Sequence, residues 1–172
     1  YDVISGDGGN DYIDGGTDSD TISGDSGIDV IEGGSGDDLI AGGMGDDTIA
    51  GGMGDDTITG GDGSDVAVFR GNQDDFTFAV ASDGTLTVTD TTTALGTDVI
   101  SGVETLRFND GDLTVTTTQD GDVTLTGTDG VDDVVTVVGS TAVTLEGVDG
   151  ADTLTGGEGA DTITGAAGDD VL

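Results

Sequence analysis

Eight aspartates stand nine residues apart without a slip: Asp2, Asp11, Asp20, Asp29, Asp38, Asp47, Asp56 and Asp65. Carboxylates accept hydrogen bonds, exchange protons and ligate hard cations. Locked to one phase beside glycines, they point to oxygen coordination rather than acid–base catalysis. The frame around each Asp is nearly constant. Gly lies two residues before most of them, and an aliphatic residue lies two after: Ile4, Ile13, Ile22, Ile31, Ile40, Ile49, Ile58 and Ala67. Residues 33–59 show it most clearly, as GGSGDDLIA, GGMGDDTIA and GGMGDDTIT. Asp7 and Asp25 replace the second Gly of their repeats, and Asp18 replaces the Gly at position four.

Composition narrows the chemistry. The 172 residues carry 37 acids against 2 bases, a formal charge of −35, with neither Cys nor His nor Lys. A compact chain so charged repels itself, and the cation that offsets it must come from outside. Without Cys or His, zinc, copper and haem are disfavoured, and an oxygen-only ligand set favours Ca²⁺. Nucleic acid is excluded by charge sign. No apolar run approaches the roughly 18 residues of a membrane span. There is no His for a triad, no Cys or Lys nucleophile and no phosphate-binding glycine loop before a helix. No enzyme is expected in these residues. Adjacent carboxylates such as Asp37 and Asp38 point apart and make no glycosidase pair.

The elements that must hold the aspartates come from the same frame. Gly supplies the positive φ of tight turns. The triplet around each aliphatic, such as Thr48-Ile49-Ala50, reads as a short strand with one buried face. Positions one to six therefore read as turn and the last three as strand. A nine-residue unit cannot bury its aliphatic alone, so units must stack, two per coil, with facing columns of Ile as the core. The fold expected is all-β: a parallel β-roll over 1–68, an antiparallel β insert or cap over 69–126, and a second, shorter, degenerate roll over 127–172. In the insert, Phe76, Phe78 and Val80 alternate, Ser82-Asp83-Gly84 turns, and Leu86 and Val88 alternate back, a hairpin signal. Further strands are expected at Leu106-Phe108, Leu113-Val115 and Val123-Leu125. In 127–172, Asp132, Asp152, Asp161 and Asp170 resume the pattern, with Val134, Val143, Leu154, Ile163 and Leu172 as core. Thr141 stands where an Asp is expected, and Leu145-Glu146 reads as a two-residue insertion. The chain opens and stops within repeats, at Tyr1 and Leu172, and reads as a piece of a longer protein without a visible signal peptide.

The consensus G-G-x-G-x-D-x-U-x, with U a large aliphatic, resembles the calcium-binding nonapeptide of the repeats-in-toxin (RTX) family, itself a well-known example of a nine-residue period. Gly96-Thr97-Asp98-Val99-Ile100 and Val103-Glu104-Thr105-Leu106-Arg107-Phe108 resemble segments found after the rolls in large secreted members. The resemblance implies a right-handed roll and several Ca²⁺ ions. Each ion would lie between turn i and turn i+2, held by position-six carboxylates and by carbonyls of turn glycines such as Gly33, Gly36, Gly42, Gly45, Gly51 and Gly54. The pairs implied are Asp11 with Asp29, Asp20 with Asp38, Asp29 with Asp47, Asp38 with Asp56, Asp47 with Asp65, and Asp152 with Asp170. Asp2 would join Asp20 across the irregular Asp18 turn. Asp161 would pair with the Thr141 turn or with one beyond this sequence. Asp37, Asp46 and Asp55 at position five read as solvated charges. Met44 and Met53 receive no function.

One core aliphatic per nine residues is thin, so metal binding is expected to be folding. The resemblance further implies export through type I secretion and folding in millimolar external calcium, hence an extracellular or cell-surface location. The function expected is a structural module of an adhesin, surface-layer or filament protein. An accessory module of a secreted protease, lipase or polysaccharide-modifying enzyme, and the repeat region of a pore-forming toxin, stay open. Open roll ends invite self-assembly, and calcium could bridge the acidic surface to a glycan.

Overall fold

The computed structural model describes residues 1–92, 95–118 and 120–172. They form two compact units, Tyr1–Phe69 with Thr93–Thr105, and Arg70–Thr92 with Leu106–Leu172. These lines differ from the divisions at 68 and 126 expected from the loss and return of the nine-residue period, because the chain leaves the first stack and then returns to it.

In the first unit the strands are β1 (Val3–Ser5), β2 (Tyr12–Thr17), β3 (Thr21–Ser26), β4 (Val30–Ser35), β5 (Leu39–Met44), β6 (Thr48–Met53), β7 (Thr57–Asp62) and β8 (Val66–Val68). Odd and even strands build separate parallel sheets, as a two-unit coil demands. β1 pairs with β3, β3 with β5 and β5 with β7; β2 pairs with β4, β4 with β6 and β6 with β8. The register is one full coil, so Ile4, Ile22, Ile40 and Ile58 stack in one column, and Ile13, Ile31, Ile49 and Ala67 in the other. From Ile13 onward every one of these side chains is buried, and these two columns are the core of the roll. This is the parallel β-roll that the nine-residue period requires.

Full strands are six residues long, not three, because pairing runs on through Gly-Gly-x: Gly34 pairs with Gly52 and Gly43 with Gly61. Positions one to three of most repeats thus belong to the strand, and the turn proper is positions four to six. Position two is left-handed throughout, with φ of +109° at Gly34 and +117° at Gly43. The irregular aspartates obey the same backbone. Asp7, Asp25 and Asp18 take φ of +65°, +70° and +75°. Asp tolerates the left-handed region better than most residues, which suits it to these places in the first roll.

The second unit begins with a short 3₁₀ turn, Gln73–Asp75, and the expected hairpin, Phe76–Val80 against Leu86–Asp90, with Phe78 opposite Val88. Phe76, Phe78, Val80, Leu86 and Val88 are buried. Phe108 packs on both neighbouring rings, its centroid 5.2 Å from Phe76 and 6.0 Å from Phe78. Asp112–Thr117 pairs antiparallel with Val123–Thr126, after which pairing turns parallel through Val143–Glu146 to Thr162–Thr164. Val134–Thr136 pairs in parallel with Thr153–Thr155. The short second roll is present, but its frame is shifted. Val135, not Val134, is buried, and Leu145 stacks between Leu125 and Ile163 rather than lying in an insertion. Two residues are added, one between Leu125 and Val135 and one between Val135 and Val143, as the pairing of Leu125 with Leu145 and of Leu145 with Ile163 shows. Ile163 is half-buried, and Leu172 is exposed rather than core.

Candidate metal centre

Each rung of the aspartate ladder makes the same two bonds. The N–H of Asp29 donates to Asp47 Oδ1 at 2.8 Å, and the N–H of Thr48 donates to the Asp29 carbonyl at 2.8 Å. The first bond recurs from Asp2 to Asp20 (2.6 Å), Asp11 to Asp29 (2.8 Å), Asp20 to Asp38 (2.7 Å), Asp38 to Asp56 (2.8 Å) and Asp47 to Asp65 (2.8 Å). In the second roll Asp152 donates to Asp170 at 3.1 Å. Every pair implied by the repeat is therefore brought together, one coil apart. A second, exposed ladder runs beside it. Asp37, Asp46 and Asp55 accept the N–H groups of Asp55, Ser64 and Thr97 through Oδ1, at 3.0, 2.9 and 2.8 Å. These solvated acids also hold the coils in register.

The other oxygen of each position-six carboxylate is the informative one. Oδ2 of Asp11, Asp20, Asp29, Asp38, Asp47, Asp56, Asp65 and Asp152 is buried and has no hydrogen-bond partner. Unpaired buried carboxylate oxygen is costly, and here it recurs at a fixed spacing. Each Oδ2 lies over the bare Cα of the first Gly of its own repeat. A Cβ on Gly33 would come within 2.5 Å of both Asp38 Oδ2 and the Gly51 carbonyl. On Gly42 it would meet Asp47 Oδ2 and, at 2.7 Å, the Gly60 carbonyl; on Gly51 it would strike Asp56. Gly36, Gly45 and Gly54, at φ of +125° to +127°, pass so close to the coil before them that a Cβ would enter its backbone. No group of three or more His, Cys, Asp or Glu placed to hold a metal ion by itself forms among the described residues. The donors at each turn are carboxylates and glycine carbonyls, an all-oxygen set that fits Ca²⁺.

Burial acts on these carboxylates as expected. It raises the pKa of Asp38, Asp47 and Asp65, and raises that of Asp56 to about 6, partly offset by the backbone bond each accepts and reinforced by neighbouring acids. An acid whose folded pKa lies above its unfolded value binds protons better when folded, so stability without metal falls as pH rises. Metal-free protein is therefore expected to gain β structure as the pH drops from about 6, the Asp56 value, toward the unfolded carboxylate value near 3.9. Circular dichroism in EDTA against pH checks this. A flat or opposite trend defeats it.

The second roll corrects two assignments. Asp132 is exposed and accepts the Ala151 N–H at 2.8 Å, the position-five role. Asp133 is fully buried and takes position six, its N–H donating to Asp152 Oδ1 at 2.9 Å. One extra residue in the turn from Gly127 moves the frame. Likewise Val143, not Thr141, stands opposite Asp161, donating its N–H to Asp161 Oδ1 at 3.1 Å. That rung has no second carboxylate.

Asp133 also differs from Asp152 and from the first-roll rungs Asp11 to Asp65 in being satisfied without metal. Thr128 N–H donates to its Oδ2 and Gln73 Nε2 to its Oδ1, both at 2.8 Å, while Val134 N–H donates to Gln73 Oε1 at 2.9 Å. The Gln73 amide thus makes the two bonds that the backbone of a preceding Asp makes elsewhere, and it substitutes for a missing rung. Gln73→Ala would leave a buried carboxylate oxygen and a backbone N–H unpaired, for about 3 kcal/mol. Urea unfolding and faster hydrogen exchange at Val134–Thr136 are the readouts, and an effect below about 0.5 kcal/mol refutes the substitution.

Asp98 and Glu104 occupy position six at the end of the first ladders, accepting the N–H groups of Asp56 and Asp65 at 2.9 Å each. Asp98 carried a legible signal, because Gly96-Thr97-Asp98-Val99-Ile100 is the second half of a nonapeptide. Glu104 carried almost none. Gln73 carried none, since nothing local distinguishes it.

A protein-family model for the RTX calcium-binding nonapeptide repeat matches residues 1–22, 14–49, 23–58, 32–67 and 144–172, together more than half of the chain. The chain belongs to the RTX calcium-binding nonapeptide repeat family. Ca²⁺ is the ion of these RTX repeats, in agreement with the oxygen-only donor set. No curated protein matches the sequence significantly. Among solved structures, the extracellular lipase of Serratia marcescens aligns with 90% of this RTX chain at 21% identity and a TM-score of 0.39. The chain spans only 27% of that lipase. No helix among the described residues is long and apolar enough to cross a membrane.

Proposed function

We propose that this chain is a calcium-folded structural module of a secreted or surface-displayed bacterial protein, of the adhesin, surface-layer or filament kind, without catalysis of its own. The observation that carries the reading is the run of buried Oδ2 atoms without partners, seven in the first roll and one in the second. The ions would be held by Asp2, Asp11, Asp20, Asp29, Asp38, Asp47, Asp56 and Asp65, with carbonyls of the turn glycines, and in the second roll by Asp152, Asp161 and Asp170. Bound calcium supplies the positive charge that these oxygens lack. The chain's own part is to preset the coil spacing through the Asp ladder and to clear room with glycine. A module built this way is folded where calcium is millimolar and extended where it is scarce, which suits export followed by assembly outside the cell. A chain without His, Cys or Lys offers few groups for chemistry and many for stiffness.

Far-UV circular dichroism of the EDTA-stripped chain during a calcium titration, with magnesium as control, tests the proposal. A cooperative rise of β signal between submillimolar and millimolar calcium is expected. Magnesium, which prefers strict octahedral geometry and keeps its waters, should not reproduce it. Full β signal in EDTA would overturn the proposal.

A further inference from the structure

The stack of the first unit does not end with its last nonapeptide. Thr97–Ser101 pairs in parallel with β7, Val99 opposite Thr57 and Ile100 opposite Ile58, and Ile100 is buried in line with the odd column. Asp56 N–H donates to Asp98 Oδ1 at 2.9 Å, and Val99 N–H donates to the Asp56 carbonyl at 2.8 Å. These are the two bonds of an ordinary rung, made across 42 residues of sequence. The even ladder is lengthened too. Asp65 N–H donates to Glu104 Oε2 at 2.9 Å, and Thr105 N–H donates to the Asp65 carbonyl at 3.1 Å.

Both rungs face orphaned charge. Asp56 and Asp65 are 1% and 0% exposed, and neither Oδ2 has a hydrogen-bond partner. The glycine cradle is rebuilt as well. A Cβ on Gly60 would strike the Gly102 carbonyl and come within 2.5 Å of Asp65 Oδ2, as a Cβ on Gly42 would meet the Gly60 carbonyl and Asp47 Oδ2. Gly102 therefore takes the place of a first-position glycine. Glu104 stands only two positions after Gly102, where Asp65 stands five after Gly60. The added methylene of Glu offers the reach that the shortened turn takes away.

We propose that Asp98 and Glu104 complete two further calcium sites, one against the Asp56 turn and one against the Asp65 turn with the Gly102 carbonyl, and that calcium there fastens residues 95–105 onto the roll. Neither residue lies within the family-model matches. The proposal rests on calcium binding by the nonapeptide turns and extends it to a segment that is not a nonapeptide. Its physical basis is the same: anionic oxygens gathered from both sides of a buried turn repel one another unless a cation lies between them. Closure of the roll by its returning segment would then depend on calcium, while the hairpin of the second unit would not.

The test uses the full chain with calcium itself as the probe. Glu104→Gln and Asp98→Asn each keep an oxygen to accept the backbone N–H and lose only the charge. Equilibrium dialysis should show each single variant binding one ion fewer than the parent, and the double variant two fewer. In the parent, hydrogen exchange at 97–105 should be slow in calcium and fast in EDTA. In the double variant it should be fast at a calcium concentration that still protects β3 to β6. Unchanged stoichiometry in the variants overturns the proposal, as does slow exchange of 97–105 in EDTA, which is read on the parent whether or not a variant folds. A parent that binds no calcium at all would instead defeat the reading of the nonapeptides themselves.

Discussion

Asp47→Asn is expected to weaken the protein in calcium and strengthen it in EDTA. Asp47 sits in the middle of the even ladder, its Oδ1 accepting Asp29 N–H and its own N–H donating to Asp65 Oδ1. Asn keeps the Oδ1 acceptor, so both ladder bonds survive. What changes is Oδ2, which is buried and without a partner. Without metal that oxygen is a buried charge with Asp29 as a like-charged neighbour, and a neutral amide relieves both problems. With metal, on the proposed reading, it would be a ligand of two successive sites, toward Asp29 and toward Asp65. An ion that binds only the folded chain at a hundred times its dissociation constant contributes about 2.7 kcal/mol, so losing two sites costs about 5 kcal/mol. Urea unfolding of parent and variant, in calcium and in EDTA, should give stability differences of opposite sign. Asp46→Asn, one residue away on the exposed ladder, should stay within about 0.5 kcal/mol in both media. Equal signs in the two media would show that the Asp47 carboxylate is a hydrogen-bonding group only.

Most of this ladder was legible because its period is strict. An unbroken nine-residue phase allows one register only, and that register places Ile22 on Ile40 and Asp29 beside Asp47 at once. The hairpin at Phe76–Val80 and Leu86–Asp90 was equally legible, since strict alternation and a Ser-Asp-Gly turn leave no competing reading. The frame failed where a single residue was added. From Gly127 the spacing to the buried carboxylate is six rather than five, so the periodic reading chose Asp132 and Val134 where the fold uses Asp133 and Val135. Two adjacent aspartates before two valines look alike in either frame. The choice is made by Gln73, whose amide selects Asp133 through a contact 60 residues away in sequence. Glu104 was hidden for a similar reason. Its place in the ladder comes from the chain returning to the roll, which no local spacing encodes.

Gly42→Ala should be among the most damaging single changes in the first roll, although its backbone conformation suits any residue. Gly42 is not in the left-handed region, so alanine meets no torsional penalty there. Its Cβ would instead run into Asp47 Oδ2 and the Gly60 carbonyl at 2.7 Å, which are the two oxygens that line the cradle. Backbone on one side and a ladder carboxylate on the other leave little room to yield. Overpacking of this kind costs about 1–3 kcal/mol, and the calcium held at that turn is lost in addition. Gly16→Ala isolates the other role of glycine. Gly16 has φ of +89° and nothing within 4 Å of its would-be Cβ, so it should cost only the left-handed penalty of about 1–2 kcal/mol and leave ion stoichiometry unchanged. Equilibrium dialysis with calcium, paired with urea unfolding, separates the two. Fewer ions bound to Gly42→Ala but not to Gly16→Ala would mean that Gly42 is glycine to make room for metal, and Gly16 is glycine to turn the chain. Equal stoichiometry in both variants would place the ions away from the Gly42 cradle and remove its role in binding.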